Sequence, residues 1–92
     1  MNGSALGLIE TRGLIALINA YDAMLKAANV EVATPVIKLD GGVVSGIIRG
    51  DVSSVRAAVE AGDEAAARCG DLKAAHVIPR PSAAVVSAFL GG

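Results

Sequence analysis

The chain has 92 residues, which is enough for one domain with a small core. Hydrophobic residues make up 53% of it but aromatic residues only 2%, so the core must be built from aliphatic side chains. The net charge of −1 and the lack of stacking aromatics exclude the usual nucleic-acid-binding surfaces. A small aliphatic body leaves apolar surface uncovered, and self-association is the natural way to cover it.

The sequence also indicates the cellular location of the protein. No apolar run approaches the ~20 residues of a membrane-spanning helix, and the first residues lack the basic region and long apolar core of a signal peptide. The single cysteine, Cys69, cannot form an internal disulfide, which agrees with a reducing compartment. We therefore expect a cytoplasmic protein that has no membrane partner.

The first half of the chain predicts a strand, a helix and a hairpin. Residues 5–10 form the strand, and the helix begins at Gly13 with apolar positions three and four residues apart. These positions are Leu14, Leu17, Ile18, Tyr21, Leu25 and Ala28. The opposite side carries a polar stripe, defined as Asn19, Asp22, Lys26 and Asn29. Within this stripe, Asp22 and Lys26 are spaced as a favourable i,i+4 ion pair.

Residues 30–37 predict a second strand and residues 43–48 a third. Pro35 cannot donate a ladder hydrogen bond, which indicates a sheet edge, a strand end or a bulge at this position. The tip between the two strands reads KLDGG, residues 38–42, and its glycines supply the positive φ that a tight turn requires.

The second half repeats the pattern. Asp51 is placed to cap a second helix that ends at Gly70. Its apolar positions are Val52, Val55, Val59, Gly62, Ala66 and Cys69. On its wet side, Arg56–Glu60 and Glu64–Arg68 are i,i+4 pairs. Residues 72–78 predict the last strand, which the prolines of Pro79-Arg80-Pro81 terminate, and a short helix or turn follows.

The order β-α-β-β-α-β predicts an α+β sandwich of the ferredoxin-like type. Because a helical connection returns the chain to the same sheet, we expect a four-stranded antiparallel sheet with both main helices on one face. The chain should form a single domain over residues 1–92, with a core over about 5–81 and a short tail over 82–92.

The titratable residues form no catalytic or metal-binding constellation. His76 lies within a strand and Cys69 on an apolar helix face, so a satisfied structural histidine and a small core cysteine are favoured over ligands or nucleophiles. The carboxylates are scattered, and no phosphate-binding glycine loop is present. We expect no enzyme activity, no catalytic residue, no metal and no cofactor.

Four blocks together resemble a known family. They are LGLIETRGLIALINAYDAMLKAANVEV, KLDGG, IIRGDVSSVRAAVEAG and AAHVIPRP. In this order and spacing they resemble the single-domain, hexamer-forming (BMC-H type) shell proteins of bacterial microcompartments over about residues 5 to 81. The resemblance implies a structural shell subunit in the bacterial cytoplasm that forms flat homohexamers. It further implies that these hexamers would tile with other shell proteins around encapsulated enzymes.

The resemblance also implies roles for individual residues. The hexamer edge would carry Lys26, which meets its counterpart on the next hexamer, with Asn29 beside it and Asp22 on the same stripe. Arg80, held after Pro79, would enter a pocket on the adjoining hexamer. The loop of Lys38, Leu39, Asp40, Gly41 and Gly42 would line a central pore through which small metabolites pass.

The chain departs from the family pattern in three places. The stretch from Thr34 to Lys38 is one residue longer than the Gly-Tyr-Glu-Lys of relatives, Asp40-Gly41-Gly42 replaces Gly-Ser-Gly, and Ser82 replaces a frequent His. Asp40 either faces the pore, favouring neutral or cationic metabolites, or caps the amides of Gly41 or Gly42, leaving backbone N–H groups to attract anions. The alternative function is a small-molecule-sensing regulatory module, since ferredoxin-like domains often bind ligands at subunit interfaces.

Overall fold

The computed structural model describes residues 5–69 and 71–90. Its elements are β1 (Ala5–Arg12), α1 (Leu14–Ala27), β2 (Glu31–Val32), β3 (Ile37–Lys38), β4 (Val43–Gly50), α2 (Val52–Arg68), β5 (Leu72–Ile78) and α3 (Ala83–Leu90). The predicted order of elements is confirmed, and the tail forms the short terminal helix α3. Gly70, the predicted end of the second helix, lies outside the described residues.

The sheet is antiparallel with the strand order β2-β4-β1-β5, and β3 also pairs with β4. Each main helix connects two strands that have a third strand between them, which is the split βαβ arrangement. Both helices cover one face: Val59 of α2 packs against Gly7 of β1, and Tyr21 of α1 packs against Gly46 of β4. The ferredoxin-like α+β prediction is confirmed.

The predicted second strand is interrupted at the sheet edge. Val32 lies opposite Ile48 and Ile37 lies opposite Ser45, so residues 33–36 face only residues 46–47 of β4. Pro35 sits in this bulge, where its missing N–H breaks no ladder hydrogen bond. The predicted bulge is present, and it explains how the longer segment still reaches the turn in register.

The core-facing side of α1 differs from the prediction. The buried residues are Ala16, Leu17, Ala20 and Met24. Three of the six predicted core positions, Leu14, Ile18 and Leu25, are instead 52%, 56% and 47% exposed. The cause is the close approach of the two helices. Met24 lies over Gly62 of α2, and a Cβ added to Gly62 would be 2.7 Å from Met24 Cγ. Leu17 and Met24 are therefore buried together with Ala16 and Ala20, whereas Leu14, Ile18 and Leu25 are turned outward.

α2 follows its predicted pattern more closely. Val55, Val59, Gly62 and Ala66 are buried as expected, whereas Val52 and Cys69 are exposed. Asp51 caps the helix by accepting hydrogen bonds from the Ser54 amide at 3.0 Å and the Ser54 hydroxyl at 2.8 Å. These bonds lower the pKa of the Asp51 carboxyl below its ordinary value.

The two ion pairs predicted along α2 do not form. The salt bridges within the described residues are Lys26–Asp22 and Arg49–Glu31. Neither Arg56–Glu60 nor Glu64–Arg68 is among them, as is common for long exposed side chains. No described helix combines the length and apolar character needed to cross a membrane.

Candidate functional site

The KLDGG tip is a tight turn fixed at both sides. The Leu39 amide donates to the Val43 carbonyl at 2.8 Å, closing the turn between β3 and β4. Gly41 and Gly42 adopt φ of 76° and 77°, which L side chains rarely adopt. The Gly13 amide donates to the Gly42 carbonyl at 2.8 Å and ties the turn to the start of α1. The predicted glycine turn is confirmed, and its backbone conformation requires the glycines.

The tip presents its side chains to solvent. Lys38, Leu39 and Asp40 are all exposed. Among the described residues, Asp40 accepts no hydrogen bond, so its carboxylate does not fold back onto the amides of Gly41 or Gly42. It is also not paired with Lys38. The carboxylate is therefore available to anything that approaches the tip.

The polar stripe of α1 is a surface feature, as predicted. Lys26 Nζ lies 2.8 Å from Asp22 Oδ2, and the two side chains are 75% and 60% exposed. Asn29 is exposed just beyond the helix. An ion pair this exposed contributes at most about 1 kcal/mol to stability. Lys26 can exchange this partner for another at little cost.

Pro79 and Arg80 directly follow β5, which forms the edge of the sheet opposite β2. Both residues are exposed. Within the described part of the chain, the Arg80 guanidinium forms no hydrogen bond or salt bridge, including with Asp22 of the polar stripe. The structure thus brings Asp22 and Lys26 together but shows no link from this pair to Arg80 within one chain.

Sequence reasoning missed an exposed row of large apolar side chains beside the polar stripe. This apolar row is Leu14, Ile18 and Leu25, with Ile15 exposed nearby. The missed signal was the spacing of Ala16, Ala20 and Met24, which are buried on one side of the helix. An apolar row of this kind on a helix indicates a surface that another molecule covers.

The remaining polar features lie away from the tip. A cleft of about 310 Å³ lies between α1 and the end of α2, lined by Asn19, Asp22, Ala23, Ala65, Arg68 and Cys69. There the Asn19 side-chain amide donates to Cys69 Sγ at 3.3 Å. Glu31 and Arg49 form an unpredicted cross-strand pair at 2.6 Å.

The two residues considered as reactive groups are both at the surface. Cys69 is an exposed free cysteine rather than a core residue, and it lies directly after the last residue of α2, Arg68. His76 is exposed on the edge strand β5 and is not a satisfied buried histidine. In the described residues no group of three potential ligands could hold a metal ion.

Comparison with known proteins gives a consistent family. The BMC domain model matches residues 5–81. The shell protein EutM of Salmonella typhimurium strain LT2 is 54% identical over 77 residues, covering 84% of this chain and 79% of that protein. The shell protein PduA from the same strain is 52% identical over 81 residues, covering 88% and 85%.

More distant matches agree. The carboxysome shell protein CsoS1A of Hydrogenovibrio crunogenus is 51% identical over 80 residues, covering 86% of this chain and 82% of that protein. A solved microcompartments protein from Desulfitobacterium hafniense DCB superposes with a TM-score of 0.82 at 30% identity over 97% of this chain, which spans 48% of that chain. The sequence relatives are shell proteins and not enzymes, and this chain is likewise structural. The chain belongs to the BMC domain family of bacterial microcompartment shell proteins.

Proposed function

We propose that the chain forms flat homohexamers that tile into the shell of a microcompartment, with a pore on the six-fold axis. The observation that carries the proposal is the apolar row of α1, Leu14, Ile18 and Leu25, exposed on a chain with a small aliphatic core. Burying such side chains against another copy contributes about 25 cal/mol per Å² of apolar area removed from water. Self-association therefore has a driving force in the single chain.

The hexamer edge is proposed to use the polar stripe and the proline clamp. Lys26 is exposed and held only by an exposed carboxylate, so it is available to a neighbouring hexamer. Arg80 is exposed on a backbone stiffened by the prolines on either side of it, and its planar guanidinium can donate several hydrogen bonds to a neighbour. Asp22, Asn29 and Pro79 complete this proposed edge.

The pore is proposed to be lined by residues 38–42. Support comes from the KLDGG tip, where bare glycine backbones and exposed side chains meet at the end of the β3–β4 hairpin. A loop repeated six times about one axis needs little bulk near the axis. In the assembled shell, the partners are further copies of this chain, other shell proteins of the same compartment, enclosed enzymes and the metabolites that cross the pore.

Native mass spectrometry of the purified protein at micromolar concentration tests the hexamer. We expect a mass of six chains, and monomers or dimers alone would contradict the proposal. Electron microscopy of overexpressed protein tests tiling, for which we expect sheets or tubes. The absence of both, together with tight binding of a small effector, would instead support a sensing module.

A variant pair tests whether the apolar row drives assembly. Ile18→Glu places a charge in the middle of the row and should reduce hexamers or sheets, while circular dichroism remains that of the wild type. Glu60→Gln, an exposed change on α2, is the matched control and should assemble normally. Unchanged assembly of Ile18→Glu would show that another surface mediates self-association.

A further inference from the structure

The charge at the KLDGG tip bears on which solutes cross the shell. We propose that the Asp40 carboxylates of one hexamer form a negative ring at the pore, so that neutral and cationic metabolites pass more readily than anions. This selectivity rests on the proposed hexamer, because one chain contributes one carboxylate and only symmetry makes a ring.

The Asp40 carboxylate accepts no hydrogen bond from its own turn. Short acidic side chains often cap nearby amides, which would have drawn Asp40 back toward Gly41 and Gly42. In the described residues no donor reaches it, and the turn is closed instead by the backbone bond from Leu39 to Val43. The arrangement in which Asp40 turns back to cap the amides of Gly41 or Gly42 is therefore not formed.

The backbone fixes where this charge is displayed. Two hydrogen bonds of 2.8 Å hold the turn, one across the hairpin and one from Gly13 at the start of α1 to Gly42. Around Gly41 and Gly42 there is open space, with no atom within 4 Å of an added Cβ. Asp40 itself is exposed, so none of the described residues covers it at this end of the hairpin.

Lys38 does not cancel the charge. Lys38 belongs to β3 and lies opposite the buried Val44, whereas Asp40 lies in the turn beyond the end of that strand. No salt bridge joins the two side chains. Because one charge is on the strand and the other in the turn, we expect their six-fold rings to lie at different depths.

Crystals of the hexamer test the proposal directly. Crystals of the wild type, of Asp40→Asn and of the control Glu60→Gln are soaked separately in rubidium and selenate, both located by anomalous scattering. We expect rubidium on the six-fold axis near residue 40 in the wild type and control, reduced occupancy in Asp40→Asn, and no selenate at that point in the wild type. Selenate bound there in the wild type, or equal rubidium in all three, would overturn the assignment.

Influx into shells that contain the same variants provides the functional measurement. Ethylammonium and acetate are matched in size, and their influx ratio should fall on the order of tenfold in Asp40→Asn, because focused charge changes local ion concentrations by at least about that factor. A ratio that responds to Lys38→Gln but not to Asp40→Asn would assign control to the lysine ring. Hexamers with a six-fold pore but no charge dependence refute the selectivity alone, whereas the absence of hexamers refutes the proposed function as well.

Discussion

The contact between Tyr21 and Gly46 allows a quantitative test of the fold. A Cβ added to Gly46 would lie 1.9 Å from the tyrosine Oη and 2.3 Å from Cζ, so the ring occupies the space that any larger residue would need. The hydroxyl is shut off from solvent and has no hydrogen-bond partner among the described residues. The site therefore combines a tight steric fit with an unsatisfied polar atom.

Three substitutions separate these two effects. Tyr21→Phe removes the unsatisfied hydroxyl and should raise the free energy of unfolding by about 1 kcal/mol. Gly46→Ala should lower the free energy of unfolding by about 1–3 kcal/mol in both the wild type and Tyr21→Phe, because the added methyl overlaps the aromatic ring that both proteins keep. Tyr21→Ala should cost about 2 kcal/mol, since the side chain is only partly buried, and Gly46→Ala should then cost almost nothing more. The coupling energy in this double-mutant cycle measures the clash.

The same burial predicts the behaviour of the protein in alkali. Burial raises the pKa of Tyr21 above its ordinary value of 10.0, and the backbone of Ile47 opposes this shift with a smaller effect. Because the buried phenol ionises less readily than the phenol of the unfolded chain, the free energy of unfolding falls as the pH rises above 10.0 through the folded-state pKa. Tyr21→Phe should therefore remove this part of the alkaline loss of stability.

Two measurements test the predictions for Tyr21 and Gly46. Urea denaturation followed by circular dichroism, at one fixed protein concentration, gives the free energies. Absorbance of the phenolate gives the pKa without ambiguity, because Tyr21 is the only tyrosine and the chain has no tryptophan. If Tyr21→Phe destabilises the protein, the hydroxyl has a hydrogen-bond partner. If Gly46→Ala costs the same after Tyr21→Ala as before it, the ring is not what excludes a side chain at residue 46.

Further predictions concern the edge, a helix cap and two glycines. Lys26→Asp should keep the hexamer in native mass spectrometry but abolish sheets in electron microscopy; loss of the hexamer itself would place Lys26 in a different interface. The contribution of Asp51 should be lost as the pH falls below its ordinary pKa of 3.8 through the lowered folded-state value. The melting temperature of the wild type should therefore fall more in acid than that of Asp51→Asn, and parallel curves would contradict this. Gly7→Ala should cost about 1–3 kcal/mol in urea denaturation, because its Cβ would lie 2.6 Å from Val59 Cγ2. Gly41→Ala should cost about 1 kcal/mol through its φ alone, and Gly41→Asn less; equal costs would show that backbone conformation is not the cause.

The sequence predicted the architecture well because its local signals agreed with one another. The Asp51 cap, the Asp-Gly-Gly turn and the proline-terminated β5 each rest on backbone geometry that only a few residue types satisfy, and all three are present. The edge bulge at Pro35 was predicted for the same reason. Such features depend on neighbours in the chain and need no knowledge of tertiary packing.

Periodicity could not predict which side of α1 faces the core. Six apolar positions three and four residues apart describe a stripe, but Ala16, Ala20 and Met24 form a second stripe beside it that is nearly as apolar. Which stripe faces inward depends on how closely α2 approaches, and that distance depends on Gly62, more than thirty residues later in the chain. A hydrophobicity pattern scores leucine above alanine, whereas close packing between helices favours the smaller residue.

The same error bears on assembly. In a monomeric protein, leucine and isoleucine would be selected for the inward stripe, because each buried aliphatic side chain contributes about 1.5–3 kcal/mol. Here Leu14, Ile18 and Leu25 occupy the outer stripe, next to the charged pair Asp22–Lys26. A helix that also carries large apolar residues outside its buried face is expected where the chain folds against its own sheet on one side and against another copy on the other. The three members of the predicted core stripe that lie outside the core, Leu14, Ile18 and Leu25, are thus the ones that we expect the assembled shell to bury.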